Sequence, residues 1–301
     1  MEVEESFFTP YGHPFELTDA EPVDCNLCGG ANYRPLGREL GFDIRECTDC
    51  GLVYVTPQPK REDLPTFYAG MYPEDTESEA RSRTLGATER HLRRIVLHRK
   101  PNLRRLLEVG CGYGLFLEKM SDVGCELNAV EFSETAIQFV RRNVPAANVQ
   151  QGDMEDAEFP PDSMDCIVLD AVFEHFKNPR EALRRLTHWL APGGLLVLQV
   201  PYMAPYMKVK RWLPWLPVTF AAPRHLFDFP PKVLRRYLAE FEYQDIQIEV
   251  ARPYSSEGPL GAALIWGVKI PGLVLHWLTA GRYIYPFAAA TVAHALKPNA
   301  R

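Results

Sequence analysis

Two patterns in this chain could do chemistry. The first is four cysteines, Cys25-Asn-Leu-Cys28 and Cys47-Thr-Asp-Cys50, with 18 residues between the pairs. Four thiolates at this spacing suit a closed tetrahedral zinc site of structural type. A zinc ion with four protein ligands has no open position for catalysis. A metal-free arrangement of redox or buried thiols is the competing reading. Gly29, Gly30 and Gly51 follow the pairs, where turns around a metal need them.

The second pattern is Glu108-Val-Gly-Cys-Gly-Tyr-Gly114, after an apolar run and before a helix-forming stretch. Glycines let the backbone turn sharply and approach a ligand closely. The following helix N-terminus offers unpaired N–H groups to an acidic group on that ligand. The spacing is G-x-G-x-G, not the dinucleotide G-x-G-x-x-G. Glu131 lies 17 residues beyond Gly114 at the end of the next apolar run, where a carboxylate can accept both hydroxyls of a ribose. Asp153 and Met154 could hold an exocyclic amine and one face of an adenine, and Asp170 ends a further apolar run. A packing turn and solvated strand-end charges are the plainer readings of the same residues.

These groups need a scaffold, and the pattern after residue 87 supplies one. Strands are expected at Arg105–Val109, Leu127–Val130, Ala147–Gln150, Cys166–Leu169, Leu195–Val200 and Asp245–Val250. Helices are expected at Thr88–Arg99, Leu115–Val123, Glu134–Asn143 with Ser133 as N-cap, Pro179–Leu190 and Pro231–Ala239. Pro192-Gly193-Gly194 reads as a turn. Such alternation predicts an α/β fold with a doubly wound, Rossmann-like, mainly parallel sheet. The expected units are a small N-terminal zinc ribbon over 1–59, a helix and linker acting as a lid over 60–87, the main domain over 88–256, and an apolar helical segment over 257–301. In that last segment Lys269 and Arg282 separate uncharged runs too short to span a bilayer. It permits helices packed on the core or at a dimer contact. It equally permits peripheral membrane contact or a greasy wall for a lipid-like substrate. Residues 202–220, rich in aromatics with Lys208, Lys210 and Arg211, allow the same alternatives.

Charge narrows the partners. Residues 1–80 carry 5 Lys/Arg against 17 Asp/Glu, while the whole chain has a net charge of −6. An acidic front end is a poor match to a phosphate backbone, so nucleic acid is not expected. The basic stretch Arg90–Arg105 reads as a solvated helix face. No secretory signal is visible at Met1–Ser6, which makes a reducing cytoplasm the expected compartment.

Leu106–Gly114, Val130-Glu131, Gly152-Asp153-Met154, Asp165–Asp170 and Leu190-Ala-Pro-Gly-Gly194 together resemble the ordered motifs of class I methyltransferases, over about residues 88–250. The resemblance implies a seven-stranded fold with S-adenosylmethionine over the glycine turn. It assigns Glu108, Gly110, Gly112 and Gly114 to the methionine portion and Glu131, with Phe132 beside it, to the ribose. Asp153 and Met154 go to the adenine, and Asp170 closes the set. In the family the last strand follows the sixth as an antiparallel hairpin partner. Here residues 258–296 intervene and the chain ends without a clear strand, so the seventh is expected to be missing, displaced or short. The cysteine unit with Cys50-Gly-Leu-Val-Tyr54, Pro57-Gln-Pro59, Phe67-Tyr68 and Tyr72 resembles a subgroup with an N-terminal zinc ribbon. That subgroup includes sugar C-methyltransferases and enzymes of surface-polysaccharide and natural-product pathways.

Methyl transfer from a sulfonium needs an aligned nucleophile, a dry site and often a base. Glu174-His175 follow the fourth expected strand and His225 lies on the loop after the fifth, so these three are the expected catalytic residues. For each histidine the plain alternative is a ring bonded to backbone that fixes a loop. Asp170–His175 also resembles the Glu-x-x-Glu-His stretch of quinone-ring O-methyltransferases, whose acidic groups and His bind a divalent ion. The first Glu of that pattern falls on Ala171, so a catalytic metal and a quinone-ring substrate are not expected. The expected function is methylation at oxygen or carbon of a small molecule, or of a nucleotide- or lipid-linked sugar. Two alternatives stand beside it: an RNA methyltransferase with a zinc-ribbon recognition module, and a non-catalytic zinc-ribbon interaction protein.

Overall fold

In a parallel sheet both faces are covered, so its strands are short apolar runs and its connections are helices. The computed structural model describes residues 7–8, 14–15, 20–63, 86–215, 218–251 and 289–299. The expected lid helix, the polar linker and most of the C-terminal apolar segment lie outside these residues.

Three strands, β1 (Tyr33–Glu39), β2 (Phe42–Cys47) and β3 (Val53–Thr56), form the N-terminal unit. Then follow α1 (Ala87–Arg99), β4 (Arg105–Val109), α2 (Leu115–Met120), β5 (Glu126–Glu131), α3 (Glu134–Asn143), β6 (Ala147–Gln151) and β7 (Met164–Asp170). The chain continues through α4 (Pro179–Trp189), β8 (Leu190–Tyr202), α5 (Ala204–Trp212), β9 (Phe227–Asp228), α6 (Pro231–Glu240), β10 (Gln244–Val250) and β11 (Ala289–Leu296). The central sheet has seven strands in the order β6-β5-β4-β7-β8-β11-β10. Every pairing is parallel except those of β11 with β8 and β10.

Side chains alternate across this sheet with period two. Leu107, Val109, Ile167, Leu169, Leu196 and Leu198 face one core, with Leu183 and Leu186 of α4 and Leu234 and Tyr237 of α6. Leu106, Cys166, Val168, Leu195 and Val197 face the other, with Leu92, Ile95 and Val96 of α1 and Phe116 and Leu117 of α2. Start signals fall where the sequence places them. The Ser133 hydroxyl accepts from the Ala136 N–H at 3.3 Å, and Asn178 accepts from that of Glu181 at 3.2 Å ahead of Pro179.

Three elements differ from expectation. α2 ends at Met120, three residues early, with Gly124 in the left-handed region just beyond. Pro192-Gly193-Gly194 is not a separate turn, because β8 runs unbroken from Leu190 to Tyr202, with Gly193 at φ 69° and a register shift in its pairing with β7. The seventh strand is present. Residues 289–296, inside the segment expected to be helical, form β11 between β8 and β10, with Tyr202 opposite Ala289 and Val250 opposite Thr291. A strand between two others and buried on both faces has no polar alternation, so its sequence reads like a buried helix.

The N-terminal unit is built onto the main domain. β9 pairs with β3, making a four-stranded sheet in the order β9-β3-β2-β1. Asn26, inside the first cysteine pair, accepts from the Tyr237 hydroxyl at 2.9 Å, and Arg180 donates to the Leu27 carbonyl at 2.7 Å. Among the described residues no helix is long and apolar enough to cross a membrane.

Glu249 of β10 ties the seventh strand to α1. His294 Nε2 donates to Glu249 Oε1 at 3.1 Å, and His91 and Arg94 lie 3.8 and 3.3 Å from Oε2. That hydrogen bond and the surrounding positive groups hold the Glu249 carboxyl down at about 2. A carboxyl lowered on folding contributes stability that is present above its ordinary range and lost as pH falls through the lowered value. The difference in melting temperature between wild type and Glu249→Gln should be full above about pH 5 and shrink steadily toward about pH 2. A pH-independent difference in thermal melts would contradict this.

Candidate functional site

The carboxyl ends of β4, β5, β6, β7 and β8 lie along one edge of the sheet. Val109 stands opposite Val130, Glu131 opposite Gln151, and Asp170 opposite Gln199. The glycine turn leaves β4 there. Gly110, Gly112 and Gly114 sit at φ 69°, 51° and 68°. A Cβ on Gly110 would come within 2.5 Å of Val172 Cγ2, so the turn is pressed against the segment after β7 as well as left-handed.

Glu131 closes the turn from the neighbouring strand. Its Oε2 accepts from the Gly112 N–H at 2.7 Å, and its Oε1 from those of Phe132 and Ser133 at 2.8 and 2.9 Å. Burial raises this carboxyl, while the three backbone donors lower it. Glu108 is buried, and its Oε2 has no hydrogen-bond partner among the described residues. Burial first, then the charges of Asp170 and Glu131, push it well above the usual carboxylate range. The turn therefore combines left-handed glycines, helix-start N–H groups and an acidic wall.

The other expected cofactor residues stand on the same edge. Asp153 caps the turn after β6 by accepting from the Glu155 N–H at 3.0 Å, and Met154 is buried beside it. Asp170 accepts from the Gln199 side chain. Arg61, just after the N-terminal unit, reaches this corner with ion pairs to Glu155 at 3.1 Å and Asp156 at 3.0 Å.

Glu174, His175 and His225 come together although 50 residues separate the two histidines. Glu174 and His175 lie on the short 3-10 turn Phe173–His175 after β7. Both histidines use Nδ1 to donate to backbone, His175 to the Arg224 carbonyl at 2.6 Å and His225 to the Phe220 carbonyl at 3.1 Å. Their Nε2 atoms lie 3.9 and 4.0 Å from Glu174 Oε1. Burial lowers His175 to about 4 and His225 well below the usual value, so both rings are neutral at pH 7. Burial pushes the Glu174 carboxyl up to about 8. The backbone bonds of the plain reading are thus present, together with a shared facing acid.

Sequence reasoning missed what holds His225 in place. Glu39, at the end of β1, accepts from the N–H groups of Phe220 and Ala221 at 2.8 and 3.1 Å and from the Thr219 hydroxyl at 2.9 Å. The Leu226 N–H donates to the Glu174 carbonyl at 3.0 Å, and the Leu226 carbonyl accepts from Val55 of β3 at 2.9 Å. Asp228, buried in β9, accepts from the N–H groups of Met203 and Ala204 at the start of α5. An isolated Glu more than 180 residues away carries no sequence signal of such a role.

The four cysteines also converge. All four sulfur atoms lie within 4.8 Å of one another, with Cys25–Cys50 at 3.3 Å and Cys28–Cys47 at 3.5 Å.

A seven-stranded sheet with one antiparallel member and a glycine turn locked by the next strand's acid defines a Rossmann-like scaffold. A family profile described as "Methyltransferase domain" matches residues 80–248, and the chain belongs to that family. It is 32% identical over 98 residues to a probable S-adenosylmethionine-dependent methyltransferase of Mycobacterium tuberculosis, covering 33% of this chain and 36% of that one. It is 28% identical over 135 residues to the dTDP-4-amino-2,3,4,6-tetradeoxy-D-glucose N,N-dimethyltransferase of Saccharopolyspora spinosa, covering 44% and 53%. A ubiquinone biosynthesis O-methyltransferase of Xanthomonas campestris is 27% identical over 175 residues, covering 52% and 71%. The chain thus spans about a third of the length of the Mycobacterium relative. Among solved structures, the [4+2]-cyclase SpnF shares the fold with a TM-score of 0.54 at 16% identity, covering 81% of this chain and 98% of that one.

Two substitutions test this architecture. Gly110→Ala should lower stability by roughly 1–2 kcal/mol from the left-handed backbone alone, and further through the Val172 overlap. An unchanged urea midpoint would refute the locked turn. Glu39→Ala should speed amide exchange at 219–222 while leaving β7 protected, with a stability cost of about 1–3 kcal/mol. Unaltered exchange there would show that Glu39 does not hold the loop.

Proposed function

We propose that the chain is an S-adenosylmethionine-dependent methyltransferase that methylates oxygen or carbon of a sugar acceptor, free, nucleotide-linked or lipid-linked. The observation that carries the cofactor reading is the Glu131 carboxylate bonded to Gly112, Phe132 and Ser133, which presents the glycine turn at the sheet edge. Glu108, Gly110, Gly112 and Gly114 would take the methionine portion, Glu131 and Phe132 the ribose, and Asp153 and Met154 the adenine. Asp170 would complete the acidic wall. A sulfonium and an ammonium group on the ligand suit the excess of carboxylates here.

The acceptor reading rests on the polar character of Glu174, His175 and His225 and on the nucleotide-sugar substrate in the Saccharopolyspora relative's name. These three residues act on the acceptor's proton, His175 foremost. Exposed Trp212 and Trp215, next to Lys208, Lys210 and Arg211, favour peripheral contact with a membrane surface if the sugar is lipid-linked.

We also propose that Cys25, Cys28, Cys47 and Cys50 hold a structural zinc ion. Thiolates about 2.3 Å from a tetrahedral zinc are about 3.8 Å apart, and the observed sulfur separations suit that with small adjustments. The ion would tie the two cysteine loops together and hold β1–β3, and through β9 the His225 loop.

Calorimetry with S-adenosylmethionine tests the cofactor reading: saturable binding is expected, and none at millimolar ligand would end the proposal. Labelled methyl transfer to nucleotide sugars, lipid-linked sugars and prenylated phenols tests the acceptor, and transfer to the phenols alone would exclude a sugar. His175→Asn should lower kcat by on the order of 100-fold with cofactor affinity unchanged. Metal analysis should find zinc held by the four cysteines, and chelation should lower the melting temperature. A chain free of zinc and indifferent to chelator would refute that site.

A further inference from the structure

The loop that leads into β9 carries an arginine at the candidate site, Arg224, directly before His225. Its backbone is fixed on both sides. The Arg224 carbonyl accepts from His175 Nδ1 at 2.6 Å, and the N–H groups of His225 and Leu226 donate to the carbonyls of Ala221 and Glu174 at 3.0 Å each. The side chain is partly buried and its Nε is enclosed without an acceptor. Among the described residues the guanidinium forms no hydrogen bond and no ion pair. Arg45, Arg99 and Arg185 also enclose an unpartnered nitrogen, but each bonds through another, to Asp43, Asp245 and the Ala157 carbonyl respectively. The charge of Arg224 reaches Glu174, His175 and His225. Burial raises the acid to about 8 and leaves both rings neutral, so Arg224 carries the charge of this group at pH 7. An enclosed donor without an acceptor is costly, and an oxyanion would relieve it.

We infer that Arg224 binds a phosphate oxyanion of the acceptor, which makes that acceptor a sugar carried on a diphosphate. The inference rests on the methyltransferase reading above and narrows it, because a free sugar has no such group. A guanidinium offers N–H donors in a rigid fork that matches two phosphate oxygens. The backbone of Arg224 touches His175, so a phosphate held here sets the attached sugar beside Glu174, His175 and His225. Glu39 already holds the preceding residues through Phe220 and Ala221, so little ordering is needed on binding. Charge divides in the same sense. Glu108, Glu131 and Asp170 act on one another at the glycine turn, where the cofactor's positive groups are assigned, and Arg224 stands beyond the turn at 173–175. Nucleotide-linked and lipid-linked sugars share the diphosphate, and the part attached to it distinguishes them.

Calorimetry on the full chain with S-adenosylhomocysteine present tests this inference, with thymidine diphosphate, farnesyl diphosphate, pyrophosphate and glucuronate as probes. Pyrophosphate and one of the two organic diphosphates should bind the wild type. Thymidine diphosphate marks a nucleotide-linked sugar and farnesyl diphosphate a lipid-linked one. Arg224→Gln should weaken that binding by about 10- to 100-fold. Arg224→Lys, which keeps the charge and loses the fork, should weaken it less. Affinity for S-adenosylhomocysteine should be unchanged in both variants, which reports a folded site. A wild type that binds S-adenosylhomocysteine but no diphosphate, or glucuronate alone, would overturn the inference. Equal diphosphate affinity in wild type and Arg224→Gln would do the same. Loss of S-adenosylhomocysteine from both variants would make Arg224 part of the fold and overturn it as well. A wild type that binds diphosphate through Arg224 but no S-adenosylhomocysteine would instead overturn the methyltransferase reading and leave the anion site standing.

Discussion

The Glu131 carboxylate is the constraint on which the sheet edge depends. Its two oxygens reach into the glycine turn at Gly112 and into its own chain at Phe132 and Ser133, so one side chain joins β4, β5 and the start of α3. Left-handed glycines have no inherent preference for one tight path. The acid chooses the path, and the close approach of Gly110 to Val172 fixes it against the segment after β7. Because that segment leads directly into Glu174 and His175, the two halves of the site share a single mechanical reference.

The N-terminal unit supplies a second reference. Its sheet borrows β9 from the main domain, and its Glu39 gathers the backbone donors of the loop before His225. Asn26 and Leu27, in the first cysteine loop, are bonded to α6 and α4 through Tyr237 and Arg180. Hydrogen bonds across β3 thus connect the cysteine loops to the segment that carries His225.

Most of this architecture is legible in the sequence because its signals are local. The strand–glycine-turn–helix at 105–120, the Ser133 and Asn178 caps and the cysteine spacing each follow from residues within a few positions. β11 was hidden because a strand flanked on both sides and covered on both faces has the composition of a buried helix. The grouping of Glu174 with His175 and His225 was partly visible as neighbouring loop positions. Its geometry was not, since it depends on carbonyls of Arg224 and Phe220 and on a distant Glu39. Such backbone contacts leave no residue type behind them.

The placement of β11 has a consequence for how this scaffold can diversify. β10 ends at Val250 and β11 begins at Ala289, paired side by side next to Tyr202 at the end of β8. The chain between them leaves and rejoins the sheet at adjacent points on the edge that carries Glu131, Asp170 and the glycine turn. A connection with neighbouring ends can be exchanged wholesale at small entropic cost. Exchange of this connection leaves the pairing of β8, β11 and β10 and the glycine turn on β4 in place.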